Sequence, residues 1–190
     1  MSAVDLQIEG PALLKLARRS IEAAVHGKHF LPPSHEWLQT PAATFVTLMH
    51  DGELRGCIGS IEPLRPLGED IVNNARGAAL YDPRFSPLTK NELEEIDIEV
   101  SLLSLPQPLE FQTDDSLYEQ LRPGIDGLIF HCEGRRSTFL PQVWEQLREP
   151  VRFVEELKRK AGVPPQTPIQ RCSFARYTVR KWREGDLQEV

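Results

Sequence analysis

The stretch from Glu53 to Ser60, ELRGCIGS, places a cysteine among residues that otherwise predict a β-strand. Glycine is a poor strand residue because it packs no side chain and loses much backbone entropy on ordering. Gly56 and Gly59, on either side of Cys57, therefore indicate one of two things. Either a ligand, a partner or another backbone comes close to the strand, or the thiol itself must be reached.

The Cys57 thiol has the chemistry of a nucleophile, and a neighbouring cation favours the reactive thiolate. Arg55 lies two residues away on the same predicted strand face, at about 7 Å by strand rise. The alternative is that Cys57 is a small buried hydrophobic residue, as free cysteines often are. The sequence leaves both interpretations open.

Residues 45–58 predict a β-hairpin turning at Asp51-Gly52, a dipeptide suited to a type I′ turn. A regular two-residue hairpin would pair Val46 with Cys57 and place His50 beside the turn. The backbones of His50 and Cys57 would then lie roughly 13 Å apart, which argues against an activated Cys–His dyad. The predicted face of Cys57 also carries Val46, Leu48, His50, Glu53 and Arg55.

Several arginines could together hold a carboxylate or phosphate, because guanidinium groups bind such anions through two parallel hydrogen bonds. They are Arg55, Arg76, Arg84, Arg135 and Arg136. Arg84 is the strongest of them, since the prolines of YDPRFSPL fix the direction of its loop. Glu99 is a candidate acid on the polar face of a predicted strand. His131 lies beside Cys132 near a predicted turn, a position that favours no catalytic role.

The elements that position these residues alternate between helices and antiparallel strands. Helical patterns cover residues 11–26, 66–81 and 150–162, and shorter ones follow Thr89, Ser116 and Pro141. Strand patterns cover residues 96–103 and 172–182, and a second hairpin turns near Glu133-Gly134. Without a βαβ rhythm, this order predicts an α+β fold with a mainly antiparallel sheet.

Length and charge restrict the class of protein. A chain of 190 residues predicts a single domain over residues 1–190. A net charge of −6 argues against nucleic acid as a partner, and no apolar segment predicts a membrane span. Three cysteines without a Cys-x-x-Cys pair argue against a disulfide framework, and free thiols fit a cytoplasmic location.

Common catalytic and cofactor motifs are absent from the sequence. It lacks the Gly-x-x-x-x-Gly-Lys phosphate loop, the Gly-x-Ser-x-Gly elbow, the His-Glu-x-x-His zinc motif and the dinucleotide glycine fingerprint. The sequence therefore predicts no metal site and leaves a cofactor unknown, and the remaining chemistry is a thiol, arginines and a few acids.

Four segments together carry a family resemblance. FVTLMHDGELRGCIGS, AALYDPRFSPLTKNELEEIDIEVSLLS, GIDGLIFHCEGRRSTFLPQV and LKRKAGVP resemble the successive signature blocks of the AMMECR family, over about residues 42–164. The most distinctive segment is LRGCIG, residues 54–59.

The resemblance implies an α+β protein of two lobes with a cleft, and a functional site at the LRGCIG strand. The matching positions include Asp82, Arg84 and Glu99. Bacterial and archaeal members are grouped as protein A of AmmeMemoRadiSam systems. A Memo-like protein and a radical SAM enzyme are therefore the implied partners.

Three hypotheses follow from the residues and the resemblance. The favoured one is an accessory or binding protein that holds a small anionic ligand or a partner segment through Arg55, Gly56, Gly59 and Arg84. The alternative is a cysteine-dependent enzyme with Cys57 as nucleophile and an acid such as Glu99 or Asp82 handling the proton. In the third, the glycines only make room for a packed helix, such as the alanine-rich one at residues 75–79.

Overall fold

The chain divides into two units, each built on its own antiparallel sheet. The structure, a computed structural model, describes residues 10–187. Of the described residues, the first unit comprises 10–103 and 180–187, and the second comprises 104–179. The α+β prediction is confirmed. A cleft, and a single domain spanning residues 1–190, stay predictions.

The three longest α-helices begin and end within about two residues of the predicted patterns, whereas the first strand begins before the predicted residue 45 and two short strands were not predicted. The α-helices are α1 (Gly10–Val25), α2 (Leu67–Leu80), α3 (Asp114–Tyr118) and α4 (Pro150–Lys160). The strands are β1 (Pro41–His50), β2 (Glu53–Gly59), β3 (Arg65–Pro66), β4 (Ile96–Leu103), β5 (Gln107–Pro108), β6 (Gly127–Cys132), β7 (Arg135–Phe139), β8 (Cys172–Tyr177) and β9 (Val179–Arg183).

The described residues also form five short 3₁₀ helices, at Glu36–Leu38, Asn91–Glu94, Pro141–Glu145, Ile169–Arg171 and Gly185–Leu187. None of the helices over residues 10–187 is long and apolar enough to cross a membrane.

The sheet of the first unit has the strand order β2-β1-β4-β9, and β3 pairs with the start of β1. Val46, Leu48 and Ile98 point from one face into a fully buried core that α1 and α2 complete. Alternation along the strands then puts Thr47 and Glu99 on the opposite face. β2 is an edge strand, so one side of its backbone has no strand partner.

The first hairpin forms as predicted at its turn but not in its register. Asp51 and Gly52 both have positive φ, 51° and 80°, as a type I′ turn requires. A β-bulge then makes Arg55 an extra residue, because Met49 pairs with Leu54 while Leu48 pairs with Gly56.

The predicted pairing of Val46 with Cys57 is therefore wrong. Cys57 pairs with Thr47 instead. A one-residue shift exchanges the two faces of a strand, so Cys57 does not share a face with the core residues Val46 and Leu48. Gly56 takes the position facing the core.

The sheet of the second unit has the order β5-β8-β6-β7. Its core contains Phe130, Phe174 and Phe153, and the Phe153 ring stacks on Trp144 with centroids 3.7 Å apart. The predicted turn at Glu133-Gly134 is confirmed by φ values of 50° and 79°.

Two predictions about the C-terminal region are wrong. The single strand predicted over residues 172–182 is divided between β8 and β9, which belong to different sheets. The prediction of three free thiols fails because Cys132 and Cys172 form a disulfide, with Cα atoms 4.4 Å apart. These two residues are 40 positions apart in sequence and meet only through the pairing of β6 with β8.

Candidate binding site at strand β2

The exposed edge of β2 is covered by the loop that follows α2. The Cys57 amide donates a hydrogen bond to Asp82 Oδ2 at 2.8 Å, and Arg84 Nη2 donates to the Cys57 carbonyl at 3.3 Å. The Asp82–Arg84 pair therefore takes the place of a neighbouring strand at this one residue. An edge strand with unpaired backbone groups would otherwise be open to another chain.

Asp82 and Arg84 form a two-bonded ion pair. Arg84 Nε lies 3.0 Å from Oδ1 and Nη2 lies 2.7 Å from Oδ2, while the Arg84 amide also donates to Oδ1. The Arg84 hydrogen bond holds the pKa of the Asp82 carboxyl well below its usual range, although burial opposes this shift. The same contact raises the pKa of Arg84, so both groups are charged at neutral pH.

The two members of this pair differ sharply in exposure. The Asp82 side chain is 2% exposed, whereas that of Arg84 is 53% exposed. The Asp82-Pro83 peptide ends α2, and the Phe85 amide then donates to the Asp82 carbonyl at 3.1 Å to close a turn. This local structure directs the guanidinium back across β2.

Arg55 is held by a second carboxylate. Its Nε lies 2.7 Å from Glu92 Oε1, its Nη2 lies 3.3 Å from Oε2, and its Nη1 donates to the Ser86 carbonyl at 3.0 Å. The Arg55 hydrogen bond lowers the pKa of Glu92 to about 2. Thr89 also donates to Glu92 through its amide and its hydroxyl, each at 2.8 Å.

Phe85 brings the two arginines together. The Arg84 guanidinium lies 5.4 Å from the centre of the Phe85 ring, and that of Arg55 lies 6.0 Å from it. Cation–π contacts of this kind further restrict the orientation of a guanidinium. The sequence named both Arg55 and Arg84 as candidates but did not reveal that Phe85 is the contact between them.

The Cys57 thiol, which is partly exposed, accepts a hydrogen bond from a neighbouring strand. Thr47 Oγ1 donates to Cys57 Sγ at 3.3 Å. Thr47 also pairs with Glu99 on β4, so the three residues form a row across one face of the sheet. Cys57 and Glu99 are two strands apart, a backbone separation of about 10 Å. Glu99 instead contacts Lys181 at 3.2 Å.

Thr47 is a functional candidate that sequence reasoning missed. A regular hairpin register assigns it to Gly56, and only the bulge at Arg55 brings its hydroxyl to the thiol. A threonine within a strand carries no local signal that would predict this contact.

The glycines of the LRGCIG segment make room for the protein itself. A Cβ atom on Gly56 would overlap the backbone carbonyl of Ala78 in α2. A Cβ atom on Gly59 would overlap the Phe45 ring. The helix-packing hypothesis thus describes Gly56 correctly, whereas Gly59 accommodates a side chain of β1. Contact of either glycine with a ligand stays a prediction.

The other sequence candidates lie elsewhere. Arg76 projects from α2 and contacts Tyr81, with its guanidinium 5.4 Å from the ring centre. His50 contacts Glu95 at 2.9 Å, and this hydrogen bond raises its pKa. The remaining candidates, Arg135, Arg136 and His131, belong to the second unit. Over residues 10–187, no group of three or more His, Cys, Asp or Glu side chains is arranged to hold a metal ion.

Comparison with known proteins identifies the family. The AMMECR1 family profile matches residues 14–182. A protein of Methanothermobacter thermautotrophicus is 40% identical over 163 residues, covering 83% of this chain and 84% of that protein. A protein of Aeropyrum pernix is 36% identical over 187 residues, covering 94% of this chain and 80% of the relative.

A solved structure agrees with these sequence matches. The crystal structure of uncharacterized protein PH0010 from Pyrococcus horikoshii superposes with a TM-score of 0.79 at 32% identity, covering 92% of this chain and 91% of the other. The profile match spans the Cys57 strand, the Asp82–Arg84 loop and both sheets. The chain therefore belongs to the AMMECR1 family.

Proposed function

We propose that this chain is an accessory binding protein that holds a small anionic ligand, or an acidic segment of a partner, beside β2. Arg84 is the main anchor and Arg55 the second. The observation that carries the proposal is the state of Arg84, half exposed yet fixed by Asp82 and Phe85. Its Nη1 atom makes no hydrogen bond to any residue in the described range and remains available to a ligand.

The charge balance of the site sets the strength of binding that we expect. Arg55 and Arg84 are matched by Glu92 and Asp82, so the four groups together carry no net charge. A ligand would be held by directed N–H groups rather than by a strong positive field. Oriented hydrogen bonds to a charged group contribute about 1.5–3 kcal/mol each, which predicts weak binding of a simple anion. A natural ligand or partner would make further contacts.

The test measures binding of malonate and inorganic phosphate by NMR titration of the wild-type chain and three arginine variants. We expect Arg84→Ala to weaken binding by about tenfold or more. Arg84→Lys keeps the charge but loses the planar fork, so it should weaken binding nearly as much. Arg76→Ala is the matched control, because Arg76 also contacts an aromatic ring but forms no ion pair with a carboxylate among residues 10–187. Equal affinity of wild type and Arg84→Ala would refute the proposal.

A cysteine-dependent enzyme is the second candidate, favoured by the contact of the Thr47 hydroxyl with the free Cys57 thiol. In this case Cys57 would attack an electrophilic carbon, and Glu99 would exchange protons only through an intervening group, given its distance across the sheet. Hydrolysis of p-nitrophenyl acetate provides a test. Turnover by the wild type that is lost in both Cys57→Ser and Glu99→Gln supports this function, and equal turnover in Cys57→Ser excludes it.

The proposed setting is a pathway with a Memo-like protein and a radical SAM enzyme, and its support is the family resemblance. Co-purification of these two proteins with the chain, compared between wild type and Arg84→Ala, tests this part of the proposal. Loss of both partners in the variant is the expected result. If neither protein co-purifies with the wild-type chain, this part of the proposal is wrong.

A further inference from the structure

A second candidate site lies in the first unit, on the far side of the Glu92 segment. It is a groove of about 880 Å³ between the C-terminal half of α1 and the 3₁₀ helix Asn91–Glu94. We call it the α1 groove, defined by its lining residues Arg19, Glu22, Ala23, His26, Lys28, Phe30, Lys90, Asn91, Leu93 and Glu94. Its volume falls within the range of small-molecule sites.

The two walls of the α1 groove are fixed to each other. Arg18 of α1 donates from Nη1 to the Leu93 carbonyl at 2.6 Å and from Nη2 to the Ile96 carbonyl at 2.9 Å. Glu92, within the same short helix, is held on its other side by Arg55. Hydrogen bonds therefore hold the two walls of the groove in place.

The end of α1 fixes the backbone of Lys28 beside the groove. The Lys28 amide donates to the Ala23 carbonyl at 2.8 Å, and the Gly27 amide donates to Ala24 at 3.0 Å, with Gly27 at φ 68°. This is a Schellman motif, which satisfies the terminal carbonyls of the helix. A hydrophobic residue usually occupies the position of Lys28 and packs back on the helix. Here an exposed cation stands there instead and lines the groove.

The charges of the groove are not neutralised by ion pairs. Arg19, Lys28 and Lys90 form no salt bridge with any residue between 10 and 187. Glu22 and Glu94 also line the groove, so three permanent cations face two carboxylates. In a chain of net charge −6 this is a locally basic surface.

Two large apolar residues are part of the groove lining. They are Phe30 and Leu93, which pack against the core of the unit. The Arg19 guanidinium lies 5.2 Å from the centre of the Phe30 ring, so it is oriented over an aromatic surface. Cations that form no ion pair within the described residues, next to an aromatic and an aliphatic side chain, suit a ligand that has an anionic group and an apolar part together.

We propose that the α1 groove binds a small organic anion, a phosphate or carboxylate attached to an apolar group, at a site separate from Arg84. The probe is phenyl phosphate, titrated into the full chain while amide NMR signals are followed. Saturable shifts should appear at His26, Lys28 and Asn91. Inorganic phosphate and phenol should each bind at least about fivefold more weakly, because inorganic phosphate lacks the apolar group and phenol lacks the anionic group.

Variants assign the binding to this groove. The double substitution Lys28→Ala with Lys90→Ala should raise the Kd for phenyl phosphate by about tenfold or more, since two cationic partners are lost. Both side chains are exposed and form no ion pair with residues 10–187, so the melting temperature should not change, and its measurement verifies that the variant folds. Lys15→Ala is the matched control, an exposed lysine of α1 that does not line the groove, and it should leave the Kd unchanged.

Four results would overturn the inference. They are the absence of saturable shifts in the millimolar range, wild-type affinity in the Lys28/Lys90 double variant, equal binding of inorganic and phenyl phosphate, and binding of an acidic peptide but not of phenyl phosphate. Arg84→Ala is titrated in parallel and should bind phenyl phosphate at the groove as the wild type does. Failure at Arg84 and failure at the α1 groove are therefore distinguishable.

Discussion

Replacement of Gly56 by alanine should destabilise the protein strongly, because α2 occupies the space that a side chain needs. The added Cβ would lie 3.2 Å from the Ala78 carbonyl carbon and would overlap the carbonyl oxygen. This obstacle is helix backbone and cannot rotate away. Relief requires β2 and α2 to separate, which would loosen the packing of Leu48 and Ile58 along the same contact.

The cost can be estimated from measured effects of overpacking. An extra methyl group in a well-packed core costs about 1–3 kcal/mol, and the upper end applies at Gly56 because the clash is with backbone. We therefore expect the free energy of unfolding to fall by ~3 kcal/mol. For a chain of this size each kcal/mol lowers the melting temperature by about 2–4 °C, so the midpoint should fall by roughly 6–12 °C.

Two other glycine substitutions are matched controls. Gly77→Ala enters the same interface from the helix side, where its Cβ would lie 3.0 Å from Ile58 Cγ2. A side chain can shift, and alanine favours a helix over glycine by ~1 kcal/mol, so this change should be close to neutral. Gly59→Ala meets the ring of Phe45, a partly exposed side chain that can rotate. Its cost should lie between the other two.

Urea denaturation followed by circular dichroism gives the required free energies. The expected order of destabilisation is Gly56→Ala, then Gly59→Ala, then Gly77→Ala. A cost below about 1 kcal/mol for Gly56→Ala, smaller than the overpacking range, would refute the argument that this glycine makes room for α2. An equal cost for Gly77→Ala would refute it as well.

Three further predictions concern ionisable groups and thiols. Because Arg55 lowers the pKa of Glu92 to about 2, Glu92 contributes stability above its unfolded pKa that is lost as the pH falls toward 2. In urea denaturation, Glu92→Gln should lose less stability than wild type between about pH 5 and pH 3. Burial raises the pKa of Tyr177 to about 12. Its neutral form therefore contributes stability below about pH 10 that is lost as the pH rises toward 12, and absorbance at 295 nm should show its ionisation only near pH 12 in the folded protein. Iodoacetamide should alkylate Cys57 in the native chain, whereas the two paired cysteines should react only after reduction, as mass spectrometry of peptides would show.

Clear contrary results exist for each of these three. If the free energy of unfolding has the same pH dependence in wild type and Glu92→Gln, Glu92 does not contribute to the loss of stability at acidic pH. Ionisation of Tyr177 near pH 10 in the folded chain would contradict its burial. Alkylation of all three cysteines without reductant would contradict the disulfide, and protection of Cys57 until unfolding would remove the thiol from the candidate site.

Local patterns determined most of the secondary structure. Helical spacing located α1 and α2 to within about one residue at most ends, and Asp51-Gly52 specified its turn because both residues must adopt positive φ. The family signatures LRGCIG and DPRF also singled out Cys57 and Arg84 as candidates, although their contact was not predictable from them. The helices and the turn depend on residues that are close in sequence, so local patterns are enough to predict them.

Only the tertiary structure decided which groups meet. The bulge at Arg55 moved Cys57 from Val46 to Thr47, because one extra residue exchanges the two faces of a strand. Four contacts join residues more than 20 positions apart: the hydrogen bond from the Cys57 amide to Asp82, the ion pair of Arg55 with Glu92, the contact of Gly56 with Ala78, and the disulfide. The sequence by itself therefore determined the elements, their turns and the residue types available for chemistry. Register and long-range packing decided their neighbours, because those depend on how separate segments fit together and not on any local pattern.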